Sequence, residues 1–181
     1  MRIVGGEARG RGLRAVPGTA TRPTADRVRQ SLFDALGQRM DGLAVLDLYA
    51  GTGALALEAL SRGAARATLV ESDARACGVI FHNLAALRYE DRARVLRATL
   101  PEALAQLRGE KFDLVFSDPP YASRGSGAML EALRENGLLA AGARLVLEMD
   151  RREPAPAPPS GLQLADERRY GDTLVRIYSA E

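Results

Sequence analysis

Short apolar runs typical of buried strands alternate with helical segments through the middle of the chain. Parallel strands need crossover connections of about this length, and such crossovers are right-handed. The alternation therefore predicts an open, mainly parallel sheet covered by helices on both faces, which is a doubly wound α/β fold. The predicted strands are 43–49, 67–72, 93–98, 112–118 and 143–149, and the predicted helices between them are 54–61, 74–88, 101–108 and 126–135.

The amino end departs from this alternation. Residues 1–23 are rich in glycine and arginine, which predicts a small hairpin or an irregular arm that projects or lies on a surface. Residues 25–39 have the apolar spacing of an amphipathic helix, with Thr24 as its N-cap and Gly37 weakening its last turn.

The carboxyl end also departs from it. A proline-rich connector at 154–159 precedes two strand patterns, 162–170 and 172–179, which flank Gly171 as an antiparallel hairpin. A chain of 181 residues is of ordinary single-domain size, so we expect one domain. Its parts are a basic arm at 1–23, an α/β core at 24–153, and the connector with the closing hairpin at 154–181.

The composition excludes several kinds of site. A single cysteine, Cys77, rules out an intramolecular disulfide and a multi-cysteine metal site, and a single histidine, His82, rules out paired-histidine zinc ligation. Cys77 shares apolar helical spacing with Ile80, Phe81 and Leu84, so we expect a buried, unreactive thiol, and we expect His82 to be half-exposed. We expect a cytoplasmic protein with no membrane partner, because no apolar run approaches the ~20 residues of a membrane helix and the amino end lacks a signal-peptide core.

Positive charge is concentrated at the amino end. Residues 1–30 hold seven arginines against Glu7 and Asp26, a net charge of +5, whereas the whole chain has a net charge of +2. Such a segment can contact several phosphates of a nucleic acid. The alternative is an arginine-rich surface without a binding role, because the chain has 24 arginines and one lysine throughout. The predicted RNA contacts are Arg9, Arg11, Arg14, Arg27 and Arg29.

A glycine turn follows the first predicted strand of the sheet. Gly51 and Gly53 let the backbone approach a ligand closely, and the helix that follows them presents free amide donors. A doubly wound sheet binds a nucleotide-like cofactor at this place. Residues 51–56 also fit the dinucleotide pattern G-x-G-x-x-A, and Glu71 ends the second strand, where either cofactor class offers ribose hydroxyls.

Asp47, four residues before Gly51, separates the two cofactor classes. A carboxylate there repels the two phosphate charges of a dinucleotide and attracts the sulfonium and ammonium groups of S-adenosylmethionine. We therefore predict S-adenosylmethionine, with a dinucleotide as the alternative. Two structural readings stay open: Asp47 could only fix the loop through backbone hydrogen bonds, and Glu71 could be a solvated residue beside the helix caps Ser72 and Asp73.

A second motif, Ser117-Asp118-Pro119-Pro120-Tyr121, stands at the carboxyl end of the fourth predicted strand. Its two prolines force an extended backbone, remove two amide donors and leave carbonyl oxygens as the dominant polar groups. Such a site suits an amino group on an aromatic ring, because Asp118 and the Pro119 carbonyl can accept its two hydrogens and draw its lone pair out of conjugation. Tyr121 can stack on the base.

The motifs in combination resemble a known family. DLYAGTG followed by SDPPY is similar to class I methyltransferases that modify exocyclic amino groups. More narrowly, the chain resembles the RsmD family of small-subunit ribosomal RNA guanine methyltransferases over about residues 2–121. The segments that carry this resemblance are RIVGGEARGRGL, TRPTADRVRQSLFDAL, DLYAGTGALALEALSRGA, LVESD and FSDPPY.

The resemblance implies a Rossmann-like methyltransferase sheet and a reaction. In that reaction a methyl group passes from S-adenosylmethionine to the exocyclic 2-amino group of one guanine in 16S rRNA, in the small ribosomal subunit or its assembly intermediate. We expect direct transfer by a monomer. No metal is expected, because a sulfonium is already an activated leaving group.

The resemblance also implies roles for individual residues. Asp118, Pro119 and Tyr121 fall on the motif that holds the target amine. Thr99 stands where such proteins usually have an Asp or Asn for the adenine amino group, and its hydroxyl can accept the same hydrogen bond. The full set of implied cofactor-binding residues is Arg22, Thr24, Asp47, Tyr49, Gly51, Gly53, Glu71 and Thr99.

Three other functions stay open at this point. An adenine amino-methyltransferase acting on DNA or RNA would share both motifs. A dinucleotide-dependent oxidoreductase would share the glycine turn. A non-catalytic ribosome-assembly factor would share the fold and would bind RNA without needing Asp118.

Overall fold

The computed structural model describes residues 1–18, 24–119 and 125–181. The chain forms two compact units, Met1–Arg97 and Ala98–Glu181. The described residues form seven strands, mainly parallel with antiparallel strands at the carboxyl end, so the predicted fold class is confirmed. The single domain predicted for residues 1–181 stays a prediction. None of the helices in the described ranges combines the length and the apolar character that crossing a bilayer requires.

The first unit builds three parallel strands in the order β3-β2-β1. The central pairing aligns Leu46 of β1 with Thr68 of β2, and every residue of β1 is buried. Apolar runs of this kind are typical of strands covered on both faces. The elements are α1 (Thr24–Leu36), β1 (Ala44–Leu48), α2 (Ala54–Ser61), β2 (Arg66–Glu71), α3 (Ala74–Leu87) and β3 (Ala93–Arg97), with a 3-10 turn at Glu90–Arg92.

The N-terminal arm, residues 1–18, folds back on itself and lies on α2. Ile3 donates its amide to the Arg11 carbonyl at 2.9 Å and accepts the Gly10 amide at 2.8 Å. The Ser61 hydroxyl at the end of α2 donates to the Gly5 carbonyl at 2.7 Å. Gly6 has a φ of 74°, and a Cβ there would lie 1.9 Å from the Ser61 carbonyl oxygen, so only glycine allows this contact. Residues 1–18 therefore form an arm that lies on a surface, whereas residues 19–23 of the predicted arm lie outside the described residues.

The second unit orders its strands β4-β5-β7-β6. Strands β4 and β5 are parallel, whereas β7 pairs antiparallel with both β5 and β6. The hairpin turns at Gly171, whose φ is 60°. The elements are α4 (Glu102–Gln106), β4 (Phe112–Ser117), α5 (Ser126–Glu135), β5 (Leu139–Asp150), β6 (Leu162–Tyr170) and β7 (Thr173–Ala180).

Strand β6 lies at the edge of this sheet and is strongly polar. Its register with β7 shifts between Leu164 and Asp166, which marks an irregularity of the β-bulge kind. The Arg168 Nε donates to Asp166 Oδ2 at 2.8 Å along the strand. The edge therefore combines a bulge with charges of both signs.

Two predicted boundaries are wrong by three or more residues. Helix α1 ends at Leu36 rather than at residue 39, because Gly37 has a φ of 92°, which the helix cannot continue through. Strand β5 begins at Leu139 rather than at residue 143, because Leu139 pairs with Phe112 before the register shifts. Gly142, with a φ of 71°, lies in the extra segment of β5.

Candidate active site

The glycine loop, residues 49–53, connects β1 to α2. Its Gly51 and Gly53 have φ values of 57° and 79°. A Cβ on Gly53 would lie 3.0 Å from Leu69 Cδ2 on β2, whereas a Cβ on Gly51 would meet only the Tyr49 carbonyl oxygen, at 3.9 Å. The loop is therefore packed at Gly53 and open at Gly51, where a ligand can approach the backbone.

Tyr49 holds an unusual backbone conformation at the start of this loop. Its φ of 60° lies in the left-handed region, which costs a non-glycine residue ~1–2 kcal/mol. Strain of this kind is concentrated at functional turns. Burial raises the pKa of the Tyr49 hydroxyl, so the phenol stays protonated at neutral pH.

Two carboxylates accept hydrogen bonds from backbone amides of the loop and of the helix that follows it. Asp47 on β1 is 2% exposed, and its Oδ2 accepts the Ala56 amide of α2 at 3.1 Å. Glu71 at the end of β2 accepts the Gly51 amide on Oε2 at 2.8 Å and the Asp73 amide on Oε1 at 2.9 Å. Asp47 therefore makes a backbone hydrogen bond of the kind left open from the sequence, whereas Glu71 is not simply solvated, because it holds two backbone amides. Both side chains also place negative charge at the glycine loop.

The structure places the other predicted cofactor residues less completely. Arg22 lies outside the described residues. Thr24 begins α1, and its side chain is not described. Thr99 is exposed, and its hydroxyl donates to Glu102 Oε2 at 2.9 Å, so the Thr99 oxygen can still accept a hydrogen bond.

The motif predicted to hold the target amine begins where β4 ends. Ser117 is the last residue of β4, and Asp118 and Pro119 follow it, whereas Pro120 and Tyr121 lie outside the described residues. The parallel register aligns Ser117 with Leu147 of β5, so Asp118 stands beside Glu148. Neighbouring parallel strands are ~4.8 Å apart, which brings these two carboxyl groups to one side of the sheet end.

The pKa values of both carboxyl groups are raised. Asp118 keeps solvent-accessible surface, yet the protein atoms packed around its carboxyl group raise its pKa to about 6. Burial, and then the charge of Asp118, raise the pKa of Glu148 to about 8. Between these two apparent pKa values, about 6 and about 8, the pair therefore holds one proton.

Four of the five arginines predicted to contact RNA are exposed, namely Arg9, Arg11, Arg14 and Arg27. Arg11 reaches α3, where its Nη2 donates to the Ala86 carbonyl at 2.6 Å. The backbone of Arg14 is held by Asn83 of α3, which leaves the Arg14 side chain in solvent. These arginines can reach an external anion without moving the arm.

Arg29 differs, and the structure corrects its predicted role. It is 5% exposed, its Nη2 donates to Asp26 Oδ1 at 2.9 Å, and its Nε lies 3.4 Å from Glu58 Oε2. The fully buried Glu58 also accepts Arg62 Nε at 2.9 Å and the Val4 amide at 2.9 Å. Arg29 is thus part of an internal charge cluster that anchors the arm, and it is not available to a phosphate.

The exposed face of α3 also differs from the prediction. Cys77 is buried, as predicted, and burial raises the pKa of its thiol. Phe81, predicted to pack beside it, is 57% exposed, and His82 is exposed rather than half-exposed. The helix is rotated so that Asn83 is buried together with Ile80 and Leu84. Among the described residues, no group of acidic, cysteine and histidine side chains could hold a metal ion.

Sequence reasoning missed three residues near these sites: Glu58, Asn83 and Glu148. Glu58 and Asn83 are buried polar residues of helices. The hydrogen-bond partners of Asn83 are 31 or more residues away along the chain, and Val4, which donates to Glu58, is 54 residues away. Only Glu148 had a usable signal, because an acidic residue in the apolar run ARLVLEM marks a strand end that carries chemistry.

Comparison with known proteins identifies the family. A family model described as conserved hypothetical protein 95 matches residues 1–179. The ribosomal RNA small subunit methyltransferase D of Escherichia coli K12 is 38% identical over 181 residues, covering 100% of this chain and 90% of the relative. The Haemophilus influenzae protein of the same description is 32% identical over 180 residues, covering 98% and 93%.

A solved structure shows the same relationship. An Escherichia coli protein with 38% sequence identity superposes with a TM-score of 0.91, covering 100% of this chain and 98% of that chain. The family model spans nearly the whole chain, and two relatives of more than 30% identity span it as well. The chain therefore belongs to the conserved hypothetical protein 95 family, which is the RsmD family that its motifs predicted.

Proposed function

We propose that this chain transfers a methyl group from S-adenosylmethionine to the exocyclic 2-amino group of a guanine in 16S rRNA. Two of its relatives bear the name ribosomal RNA small subunit methyltransferase D, which supports both the reaction and the kind of RNA. We further propose that it acts in the cytoplasm as a monomer, on the small ribosomal subunit or an assembly intermediate.

One observation carries the choice of cofactor. A dinucleotide binds its pyrophosphate through free amides at the glycine turn and the helix start. Here the Gly51 N–H donates to Glu71, and the Ala56 N–H donates to Asp47. Two carboxylates at this turn repel a pyrophosphate and attract a cation, which favours S-adenosylmethionine over a nicotinamide dinucleotide.

The residues present fit S-adenosylmethionine. Glu71 can accept the ribose hydroxyls on lone pairs that its two backbone contacts leave unused, and Asp47 supplies the charge that favours the cationic groups. The open backbone at Gly51 gives the ligand close access. Arg22, Thr24, Tyr49 and Thr99 complete the proposed set. The bound cofactor supplies a methyl group that is already activated by its sulfonium.

The acceptor end of the reaction depends on the motif after β4. Asp118 and the Pro119 carbonyl accept the two hydrogens of the guanine amino group, which frees the nitrogen lone pair for attack. Stacking of the base on Tyr121 contributes ~1–3 kcal/mol. After the new carbon–nitrogen bond forms, the nitrogen carries an extra proton, which leaves to Asp118 or to water.

The raised pKa of Asp118 predicts a pH dependence. The methyl-transfer rate constant kcat/KM should rise with pH and level off above about 6, because only ionised Asp118 accepts hydrogens from the amine. Glu148→Gln should keep this acidic limb, since its neutral amide replaces a carboxyl group that is protonated there. Any change of rate near pH 8, where Glu148 ionises in the wild type, should disappear in this variant. A limb that stays near pH 4 in the wild type would contradict the assignment.

The exposed arginines of the arm predict a salt dependence. Replacing Arg9, Arg11 and Arg14 together by alanine should weaken RNA binding and make the negative slope of log K against log salt shallower by ~3, about one for each lost phosphate contact. The matched control removes three exposed arginines of the second unit, Arg134, Arg151 and Arg169, and so changes the net charge equally. Equal losses in the two triple variants would show that net charge alone, rather than the arm, binds RNA.

The proposal is tested by product analysis. The protein is incubated with S-adenosylmethionine and unmodified small subunits, with naked 16S rRNA in parallel, and the nucleosides are identified by mass spectrometry. We expect 2-methylguanosine at one position. A methylated adenine would favour the adenine-specific enzyme, and no product together with tight binding of a nicotinamide dinucleotide would favour the oxidoreductase.

A further inference from the structure

The side-chain amide of Asn83 joins two distant segments of the first unit. Asn83 lies on the inner side of α3 and is 1% exposed. Its Oδ1 accepts the Arg14 amide at 2.8 Å, and its Nδ2 donates to the Arg14 carbonyl at 3.1 Å. The second Nδ2 hydrogen goes to the Thr52 carbonyl at 3.0 Å. Both donors and the acceptor of one buried amide are therefore in use.

The two segments that Asn83 joins have different tasks. Arg14 belongs to the N-terminal arm, whose Arg9, Arg11 and Arg14 side chains are exposed to solvent. Thr52 lies between Gly51 and Gly53, in the middle of the glycine loop. The arm touches this loop a second time, because the Thr52 hydroxyl lies 3.5 Å from the Met1 sulfur.

The loop has little freedom to change without the arm. Three of its backbone amides are already engaged: the Ala50 amide donates to the Val70 carbonyl at 3.0 Å, the Gly51 amide donates to Glu71, and the Gly53 amide donates to the Ala50 carbonyl at 2.7 Å. The Thr52 carbonyl differs from these amides, because its partner, the Asn83 side chain, also holds Arg14 of the arm. A change in the order of the arm at Arg14 therefore reaches the loop through Asn83.

We propose that Asn83 is a positioning residue that holds the arginine-bearing arm and the glycine loop in one arrangement, so that RNA binding to the arm and cofactor binding to the loop strengthen each other. The inference rests on the proposed function, since it takes the loop as the cofactor site. RNA that orders the arm lowers the entropy that the cofactor loses when it orders the loop, so the affinity for the cofactor rises. Because linkage is reciprocal, the bound cofactor raises the affinity for RNA by the same factor.

The test measures binding of S-adenosylhomocysteine by calorimetry and hydrogen exchange of the arm. In the wild type, S-adenosylhomocysteine should slow exchange of the Arg14 amide. Asn83→Ala should weaken the binding of S-adenosylhomocysteine about tenfold, the equivalent of one or two hydrogen bonds. In this variant S-adenosylhomocysteine should no longer slow exchange of the Arg14 amide. Saturating S-adenosylhomocysteine should tighten wild-type binding of a 16S rRNA transcript about tenfold, and this ratio should fall to near one in Asn83→Ala.

A second pair of variants leaves the buried amide in place. Arg14→Pro removes both the guanidinium and the backbone N–H that donates to Asn83. Arg14→Ala removes the guanidinium but keeps that N–H. Both should bind RNA more weakly, but only Arg14→Pro should also lose affinity for S-adenosylhomocysteine. This pair keeps the test decisive if Asn83→Ala is poorly folded.

The control loosens the arm at its other attachment. Ser61→Ala removes the hydroxyl that bonds the Gly5 carbonyl at 2.7 Å and the Ala8 amide at 2.9 Å, neither of which touches the glycine loop. It should speed exchange at residues 5–8 and leave the affinity for S-adenosylhomocysteine unchanged. A general loss of arm order would instead lower that affinity in Ser61→Ala as well, and this would overturn the specific role of Asn83.

The failures of the two proposals are distinguishable. If the wild type does not bind S-adenosylhomocysteine, the proposed function fails and this inference fails with it. If the wild type binds it, while Asn83→Ala and Arg14→Pro bind it equally tightly, only the role of Asn83 is overturned.

Discussion

Replacing Asp118 by alanine is expected to lower the methyl-transfer rate by ~10²–10⁴-fold, the usual contribution of a group that manages a proton at the reacting atom. Alanine removes the carboxylate that accepts an amine hydrogen, so the nitrogen lone pair stays conjugated with the base. The affinity for S-adenosylhomocysteine should stay unchanged, because the proposed cofactor carboxylates are Asp47 and Glu71. Single-turnover rates and calorimetry measure the two quantities separately.

Two further variants sharpen this prediction. Asp118→Asn keeps one acceptor oxygen but cannot take a proton, so it should retain more activity than alanine if hydrogen bonding to the amine is the main task. Asp113→Ala, on the same strand but before the motif, is the control and should keep the wild-type rate. Full activity in Asp118→Ala would remove Asp118 from the reaction. Lost activity with RNA binding preserved would argue against a non-catalytic assembly factor.

Replacing Glu58 by alanine is expected to reduce the free energy of unfolding by ~3–5 kcal/mol, the cost of leaving buried charges without their partner. Glu58 is fully buried, and its carboxylate lies between the guanidinium groups of Arg29 and Arg62. It also accepts the Val4 amide of the arm. Since a whole domain is stable by only ~5–15 kcal/mol, urea denaturation should show a large shift of the midpoint.

Surface and isosteric variants provide the comparison. Glu135→Ala removes an exposed carboxylate near Arg134, and a contact of that kind contributes at most ~1 kcal/mol. Glu58→Gln keeps the oxygen acceptor without the charge, so its loss of unfolding free energy should lie between those of Glu58→Ala and Glu135→Ala. A loss in Glu58→Ala no larger than that in Glu135→Ala would mean that water or relaxation compensates the buried guanidinium groups.

The order and type of the core elements were predictable because each strand and helix has its own hydrophobic period. Helix α2 was predicted at its observed bounds, and β1 was predicted within one residue at each end. The place of the proposed cofactor carboxylates at the glycine loop was predictable for a related reason: Asp47 and Glu71 each lie near the end of a strand, where the fold determines their surroundings. The family prediction is confirmed by the match over residues 1–179.

Other parts of the site were not predictable, because they depend on contacts between distant residues. Arg29 and Phe81 were misplaced, since apolar spacing indicates that a helix is amphipathic but does not fix the rotation of its marginal positions. Glu148 matters through Asp118, which lies on another strand, and Asn83 matters through Arg14 and Thr52. No local pattern contains such pairs.

The bulged, charged edge strand β6 has a consequence for behaviour in concentrated solution. An unpaired strand edge offers a row of N–H and C=O groups to any extended segment of another molecule, and flat apolar edges start fibres in this way. The register shift at Leu164 and the ion pairs along β6 oppose such docking. The folded protein should therefore remain dispersed where smoother edges would nucleate aggregation, and screening these charges with salt should weaken that protection.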